Sequence, residues 1–254
     1  MIIAITREVS TSIGKGELTY LPRHEIDVEA ARSQHLEYEN VLKDMGCKIK
    51  RLSVEPNLPD SVFVEDIAIV LKELAIVTRP GAGSRREETT SVAQLLKEYR
   101  RIFQMVSPGT LDGGDVLQIG KTLYVGITSR TNESGIKQLK QFVLPYEYKV
   151  ETVFVEGCLH LKSAVTLVGE DKLLINRSWT DPQQFGGMEY IDVDPAEPYA
   201  ANALLVGDEL VYPMNFPKTF RRLESRGISI RDVDVSELQK AEGAVTCCSL
   251  IFEK

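Results

Sequence analysis

Short pairs of apolar segments joined by tight polar turns recur along this 254-residue chain, and this recurrence constrains its fold more than any other feature. The pairs are DIAIV-LKE-LAIVT, DVLQI-GKT-LYVG, AVTLV-GED-KLLIN and ANALLV-GDE-LVYP. Apolar or β-branched runs on either side of Gly, Asp, Glu or Lys are typical of antiparallel hairpins. Each pair is therefore predicted to form two strands that lie side by side.

A helical run and then an extended segment follow these pairs. Helical periodicity indicates segments around Thr89 to Phe103, Glu133 to Val143 and Lys218 to Arg226. The extended segments include TVFV after the second helix and ISIRDVDV after the third. The repeating module is thus predicted to be β-β-α-β.

The two ends of the sequence supply a fifth module if CSLIF pairs with the N-terminal IIAIT. A helix from Asp27 to Met45 would follow that pair, with Asp27 as its N-cap and Gly46 as its stop. Five such modules predict an α/β fold that closes into a five-bladed α/β propeller, with the N- and C-terminal strands sharing a blade. A doubly wound α/β sheet is the alternative, but its parallel strands do not provide the hairpins.

One unusual polar residue recurs in each module. These residues are Asp66, Asp112, His160, Asn202 and Cys247, at intervals of 46, 48, 42 and 45 residues. In a radial array, equivalent positions of the modules converge on the central axis. We therefore expect acids, an imidazole and a thiol to meet in one pocket.

Two adjacent cysteines, Cys247 and Cys248, belong to the final apolar segment, which we predict to be a strand with Cys248, Leu250 and Phe252 on one face. Neighbouring residues of a strand point to opposite faces, and Cys248 falls on the wholly apolar face. We therefore expect Cys247 to face the site and Cys248 to fill the core as an inert thiol. The same alternation would send His160 and Lys162 to one face.

Composition excludes several classes of partner. A net charge of -7 leaves no basic excess for a nucleic-acid backbone. No stretch approaches the roughly 20 apolar residues that span a bilayer, so no membrane partner is expected. The N-terminus does not resemble a signal peptide, which favours reduced cysteines and a cytoplasmic location.

Two sets of residues in the sequence resemble cofactor sites, one for a phosphate group and one for a metal. RPGAGSRR resembles a phosphate-binding loop, but Arg86 stands where the third glycine of GxGxxG would fall. A metal site built from Cys158, His160, Cys247 and Cys248 is the other alternative, although these residues lack CxxC spacing.

Six motifs occur together and in order: FVED, RPGAGSRR, LDGGD, SRTN, LHLKS and EGAVTCCS. In this register the chain resembles the dimethylarginine dimethylaminohydrolase family of the guanidino-group-modifying (pentein) superfamily. The resemblance extends over nearly the whole chain. It implies a five-bladed α/β propeller with the active site on its axis, and one catalytic domain over residues 1–254.

The resemblance also implies the roles of individual residues. Cys247 would be the nucleophile, His160 the general acid and base, and Asp112 the residue that orients the imidazole. The implied substrate-binding residues are Glu65 and Asp66 for the guanidinium, Asp60 for the α-amine, Arg85 and Arg130 for the α-carboxylate, and the backbones of Leu18, in a lid, and Ala241.

The activity implied is hydrolysis of Nω-methylated L-arginine to L-citrulline and a methylamine through a covalent cysteine thiouronium. The expected partner is a small guanidino amino acid, and no metal or organic cofactor is expected. The resemblance is also compatible with a homodimer. A deiminase acting on arginine or another guanidino compound is the alternative on the same fold. A non-catalytic propeller that binds a partner is the more distant one.

Overall fold

The structure, a computed structural model, describes residues 1–254 and contains fifteen strands and six α-helices. The strands are β1 (Ile2–Arg7), β2 (Lys48–Leu52), β3 (Ala68–Val70), β4 (Leu74–Val77), β5 (Arg101–Gln104), β6 (Val116–Ile119), β7 (Thr122–Ile127), β8 (Lys149–Phe154), β9 (Val165–Gly169), β10 (Lys172–Ile175), β11 (Glu189–Asp192), β12 (Leu204–Val206), β13 (Glu209–Pro213), β14 (Ser229–Val233) and β15 (Leu250–Glu253). The helices are α1 (Val28–Asp44), α2 (Thr89–Leu96), α3 (Glu133–Val143), α4 (Leu161–Ala164), α5 (Pro217–Glu224) and α6 (Ser236–Gln239).

The strands form five three-stranded sheets, each of which is one blade. Their orders are β15-β1-β2, β3-β4-β5, β6-β7-β8, β9-β10-β11 and β12-β13-β14. In every blade the middle strand is antiparallel to the first strand and parallel to the third. A parallel neighbour requires a crossover, and α1, α2, α3 and α5 provide it in four blades. The fourth blade makes its crossover with only a short 3-10 turn at Pro182–Gln184.

Five apolar clusters close the blades into a ring, because each cluster joins two neighbouring blades. Ile76 of the second blade packs in one cluster with Leu123 of the third. The ring closes where Val211 of the fifth blade shares a cluster with Ala4 of the first. Fully burying side chains of this size stabilises the fold by roughly 1.5–3 kcal/mol each. The predicted five-bladed α/β propeller is therefore confirmed.

Most of the predicted elements are present. The carboxylate of Asp27 caps α1 by accepting hydrogen bonds from the backbone of Glu29 and Ala30, both at 3.0 Å. The N- and C-terminal strands share a blade, with Ile3 opposite Phe252.

The helix predicted from Thr89 to Phe103 is wrong in its second half. It ends at Leu96, and residues 101–104 instead form β5, parallel to β4. Pairing within the blade overrides local helical preference there.

The strand predicted for the two cysteines is also wrong. Cys247 and Cys248 lie in a turn, and β15 begins only at Leu250. Alternation along a strand therefore does not decide their directions. It fails as well for His160 and Lys162, which belong to the start of a short helix and line different cavities. No helix combines the length and apolarity that a bilayer crossing requires.

Candidate active site

The recurring polar residues occupy one equivalent place in the fold, the turn that leads into the first strand of each blade. They are Asp66 before β3, Asp112 before β6, His160 before β9, Asn202 before β12 and Cys247 before β15. These turns contact one another around the axis. For example, the backbone N–H of Gly114 donates to the Asp66 carboxylate at 3.1 Å, and that of Glu65 donates to the Cys247 carbonyl at 3.1 Å. The expected convergence is present.

A narrow cavity lies where these turns meet. Its volume is about 20 Å³, room for about one water molecule. Seven of the predicted site residues line it: Asp60, Asp66, Arg85, Arg130, His160, Ala241 and Cys247. Phe63, Leu159, Glu17 and Glu242 complete the lining.

The His160 imidazole lies between two carboxylates. Its Nε2 is 3.2 Å from Asp112 Oδ2, and its Nδ1 is 3.8 Å from Asp66 Oδ1. Burial alone lowers the pKa of His160, but Asp66 and Asp112 outweigh it and raise that pKa to about 9. His160 is therefore an imidazolium at neutral pH, with both ring nitrogens able to donate.

Two glycines of LDGGD allow this close approach. A Cβ on Gly113 would lie 1.9 Å from the carbonyl oxygen of Glu65, and one on Gly114 would lie 2.7 Å from His160 Nδ1. Any side chain at these positions would displace either the acidic loop or the imidazole. The motif therefore does more than form a turn.

The Cys247 thiol is buried in the cavity wall. Burial raises its pKa well above the usual range, and the Glu65 and Asp66 carboxylates raise it further. Cys248 is fully buried in the apolar cluster of the first and fifth blades, and its Sγ is 3.3 Å from the carbonyl of Ala244. The two cysteines therefore occupy different environments, although strand alternation is not the reason.

The two arginines of the cavity differ in how many of their guanidinium N–H donors already bind acceptors within the protein. Arg85 Nη1 donates to Asp66 Oδ2 at 2.6 Å, and Nη2 donates to Glu88 Oε2 at 2.9 Å. Its Nη2 also donates to two backbone carbonyls, and its Nε donates to Glu88. One Nη1 hydrogen of its five donors is left over. Arg130 makes a single side-chain bond, from Nη2 to the Thr19 hydroxyl at 3.1 Å, and so has donors to spare.

Three predicted residues do not line the cavity. Asp112 lies behind the imidazole. Leu18 lies between Glu17, which lines the cavity, and Thr19, which accepts a hydrogen bond from Arg130. Glu65 lines a second cavity with Lys162, and its carboxylate accepts from that ammonium at 2.5 Å and from the Thr246 hydroxyl at 2.8 Å.

Comparisons with known proteins agree with this architecture. Residues 19–181 match the family described as "N,N dimethylarginine dimethylhydrolase, eukaryotic". The N(G),N(G)-dimethylarginine dimethylaminohydrolase of Streptomyces coelicolor is 38% identical over 249 residues, which is 97% of this chain and 95% of the relative. The chain belongs to the dimethylarginine dimethylaminohydrolase family. The corresponding protein of Pseudomonas aeruginosa is 32% identical, over 89% of this chain and 90% of its own length.

Solved structures of the family superpose closely. A cysteine-to-serine variant of the Pseudomonas aeruginosa dimethylarginine dimethylaminohydrolase, complexed with citrulline, gives a TM-score of 0.94 at 30% identity, with 98% of each chain covered. A histidine-to-glycine variant of dimethylarginine dimethylaminohydrolase, solved as an adduct with S-methyl-L-thiocitrulline, gives 0.94 at 31%, over 98% of this chain and 99% of that one.

Asp115, a buried acid that supports the cavity wall, was missed from the sequence. Its carboxylate accepts from the hydroxyls of Thr128 at 2.7 Å and Thr131 at 2.6 Å, and from the backbone of Leu161 at 3.0 Å. One carboxylate thus holds both the loop of Arg130 and the residue after His160. Burial raises the pKa of Asp115 to about 6 against the opposing effect of the imidazolium. The second acid of LDGGD was the available signal.

The spacing of the modules singles out Asn202, and the structure shows its hydrogen-bond partners. Its side-chain amide donates to the carbonyl of Lys162 at 3.0 Å and to the Thr246 hydroxyl at 2.9 Å. Its Oδ1 accepts from the Thr246 backbone at 3.1 Å. Asn202 therefore fixes the turn that carries Cys247.

A metal could be sought where ligand atoms of Asp66, Asp112 and His160 all lie within 4.8 Å of one another. Each of these side chains already has protein partners, including Arg85 on Asp66 and the Gly81 N–H on Asp112. Hydrogen bonds within the protein therefore already engage all three side chains. The alternative set of three cysteines and His160 is not assembled.

Proposed function

We propose that this protein hydrolyses Nω-methylated L-arginine, in its dimethyl or monomethyl form, to L-citrulline and a methylamine through a covalent Cys247 thiouronium. One observation carries the proposal: a single cavity on the axis is lined by a thiol, an imidazole, carboxylates and two guanidiniums. Membership of the dimethylarginine dimethylaminohydrolase family supports it.

The charges suit a guanidino amino acid. Asp66 lines the cavity with Cys247, and the Glu65 backbone N–H donates to the Cys247 carbonyl at 3.1 Å. These two acids would hold the substrate guanidinium at the thiol. Asp60 would bind the α-amine. Arg130, with its free donors, is the better placed arginine for the α-carboxylate, and Arg85 would add its remaining N–H. Backbone contacts from Leu18 and Ala241 complete the proposed set.

The protonation states suit the first chemical step. A free thiol beside two carboxylates resists ionisation, whereas a bound guanidinium neutralises those acids and lowers the cost of the thiolate. The Cys247 thiol loses its proton to solvent as the substrate binds, and its thiolate sulfur attacks the guanidinium carbon and forms a C–S bond. The C–N bond to the methylamine then breaks, and His160 gives the leaving amine its proton.

The second step regenerates the enzyme. His160, now neutral, takes a proton from water as the water oxygen attacks the same carbon. The C–S bond breaks and Cys247 leaves as a thiolate. The protonated ureido group then gives up its extra proton, which restores the thiol and leaves the neutral ureido group of citrulline. Asp112 keeps the ring oriented through both steps.

Steady-state assays with asymmetric dimethylarginine, monomethylarginine, arginine and agmatine test the substrate. We expect citrulline from the two methylated arginines. Turnover of arginine but not of the dimethylated compound would overturn the assignment in favour of the deiminase alternative, which no observation here favours.

The matched pair Cys247→Ser and Cys248→Ser tests the nucleophile. Cys247→Ser should abolish citrulline formation, because a serine hydroxyl is far less nucleophilic than a thiolate. Cys248→Ser should leave the rate nearly unchanged, with at most a slightly lower melting temperature. Unchanged turnover by the first variant would exclude Cys247 as the nucleophile and favour a different reaction centre.

Other expectations stay predictions. We propose that residues 1–254 act as one catalytic domain that needs no metal or organic cofactor. A cytoplasmic location and a homodimer remain predictions that sedimentation and cell fractionation can check.

A further inference from the structure

The loop of residues 13–23, which we call the lid, covers the cavity and is tied to its rim. The backbone of Gly16 presses on Asp60, where an added Cβ would lie 2.2 Å from Oδ1. Within the lid, Arg23 Nη2 donates to the Gly16 carbonyl at 2.7 Å. Ile13 anchors the start of the lid in an apolar cluster, and the position of the remainder depends on its attachments to the rim.

Two of these attachments use groups that the substrate would need. The Glu17 N–H donates to Asp60 Oδ2 at 3.0 Å, and the Thr19 hydroxyl accepts from Arg130 Nη2 at 3.1 Å. With the lid in this place, the cavity has room for about one water molecule. A guanidino amino acid must therefore displace both contacts as it enters.

The other two attachments are independent of the substrate groups. One is the hydrogen bond from the Ser84 hydroxyl to Glu17 Oε1, at 2.5 Å, and the other is made by Glu242. The Glu242 carboxylate accepts three successive backbone N–H groups of the lid, those of Thr19 at 2.9 Å, Tyr20 at 2.5 Å and Leu21 at 2.6 Å. Hydrogen bonds to an ionised acceptor are about twice as strong as neutral ones.

The backbone at Glu242 adds a second observation. Its φ is +58°, in the left-handed region that favours glycine, and Glu147 is the only other non-glycine residue there. Glu147 is exposed and its side chain makes no hydrogen bond, whereas the Glu242 side chain makes three. The neighbour Ala241 lines the cavity. The left-handed turn thus aims the carboxylate at the lid from the edge of the site.

We propose that Glu242 is the positioning residue that holds the lid on the cavity rim while Asp60 and Arg130 exchange their lid contacts for the substrate. The part of this proposal that concerns substrate rests on the proposed function. The part that concerns the lid does not, because it is a property of the ligand-free protein.

The test compares Glu242→Gly with Glu147→Gly in the full chain. Both changes place glycine at a left-handed position, so both should keep or raise the melting temperature. Only Glu242→Gly removes the lid attachment. We expect backbone amides of residues 19–21 to exchange with D₂O at least about tenfold faster in that variant, because hydrogen bonds to a charged group are typically worth that factor or more.

Kinetics give the second measurement. We expect the KM for asymmetric dimethylarginine to rise about tenfold in Glu242→Gly while kcat stays within about threefold. Without its attachment the lid must become ordered when substrate binds, and this ordering costs binding free energy. Glu147→Gly should change neither. Glu242→Gln, which keeps one acceptor oxygen, should fall between the wild type and Glu242→Gly in both measurements.

Unchanged lid exchange in Glu242→Gly would overturn the proposal, and so would faster exchange with an unchanged KM. Failure of the wild-type protein to turn over any methylated arginine would instead refute the proposed function. The exchange result would still decide whether Glu242 holds the lid.

Discussion

The wall and the lid of the cavity are built in different ways. The wall consists of buried turns that lead into the first strand of each blade, and hydrogen bonds from neighbouring turns hold Asp66 and His160 in place. The lid is a partly exposed loop attached by a few side-chain contacts. The difference suggests a division of labour, in which the wall fixes the reacting groups and the lid controls access. Changes to the wall should therefore reduce kcat steeply, and changes to the lid should move KM modestly.

The largest expected effect comes from Asp112→Asn. We expect kcat/KM to fall roughly 10³-fold or more, in line with the loss seen when a carboxylate no longer orients a catalytic histidine. The variant should also change the pH profile. In the proposed mechanism His160 acts as an acid while protonated, so activity should fall as pH rises through its pKa of about 9.

The direction of that pH change follows from the cause of the shift. Asp112 raises the pKa of His160, so its removal should move the alkaline limb of kcat/KM to lower pH by roughly one unit or more. Asp115→Asn, which does not contact the ring, should move it less. An alkaline limb that stays in place would show that His160 is not the titrating acid.

A smaller loss is expected for Gly114→Ala. The added methyl group would lie 2.7 Å from His160 Nδ1, so the ring must shift. A displacement of about 1 Å typically costs roughly 100-fold in rate, and we expect a loss of that order in kcat. Gly186→Ala is the control, because a Cβ there meets no atom within 4 Å. Equal kcat values for the two variants would contradict the close approach of Gly114 to the imidazole.

The smallest effect, and the one of opposite sign, is expected for Thr19→Val in the lid. The valine cannot accept from Arg130, so a substrate carboxylate no longer has to displace that bond. We expect KM to decrease by roughly two- to threefold with kcat unchanged, the value of a modest hydrogen bond. Titration of the wild type and variant with citrulline should give the same ratio. A KM that rises would mean that Thr19 helps to bind the substrate.

The features of this molecule that could be predicted from the sequence are those that repeat from blade to blade. The spacing of Asp66, Asp112, His160 and Cys247 indicated convergence because equivalent places in the blades meet on the axis. The backbone conformation at those positions could not be predicted from the spacing. Cys247 and His160 lie in turns, where the two-residue periodicity of a strand does not apply, and the parity argument therefore failed.

Contacts that depend on tertiary placement were also out of reach. Glu242 reads as an ordinary surface acid, and its meeting with Thr19 joins segments 223 residues apart. Lys162 is predicted to share a face with His160, yet its ammonium binds Glu65 on the other side of the acidic loop. Residue types alone could not show that the two guanidiniums differ, because the difference lies in the partners of Arg85.

The pairing of β1 with β15 determines when the reaction centre is complete. Cys247 lies in the turn just before β15, so its sulfur joins the imidazole and the acids only when that strand docks and seals the circle of blades. An intermediate with β15 undocked could hold His160, Asp66 and Asp112 together and still be inert. Catalytic turnover is therefore a readout of closure of the whole array, and it should appear later during refolding than the secondary structure of any single blade.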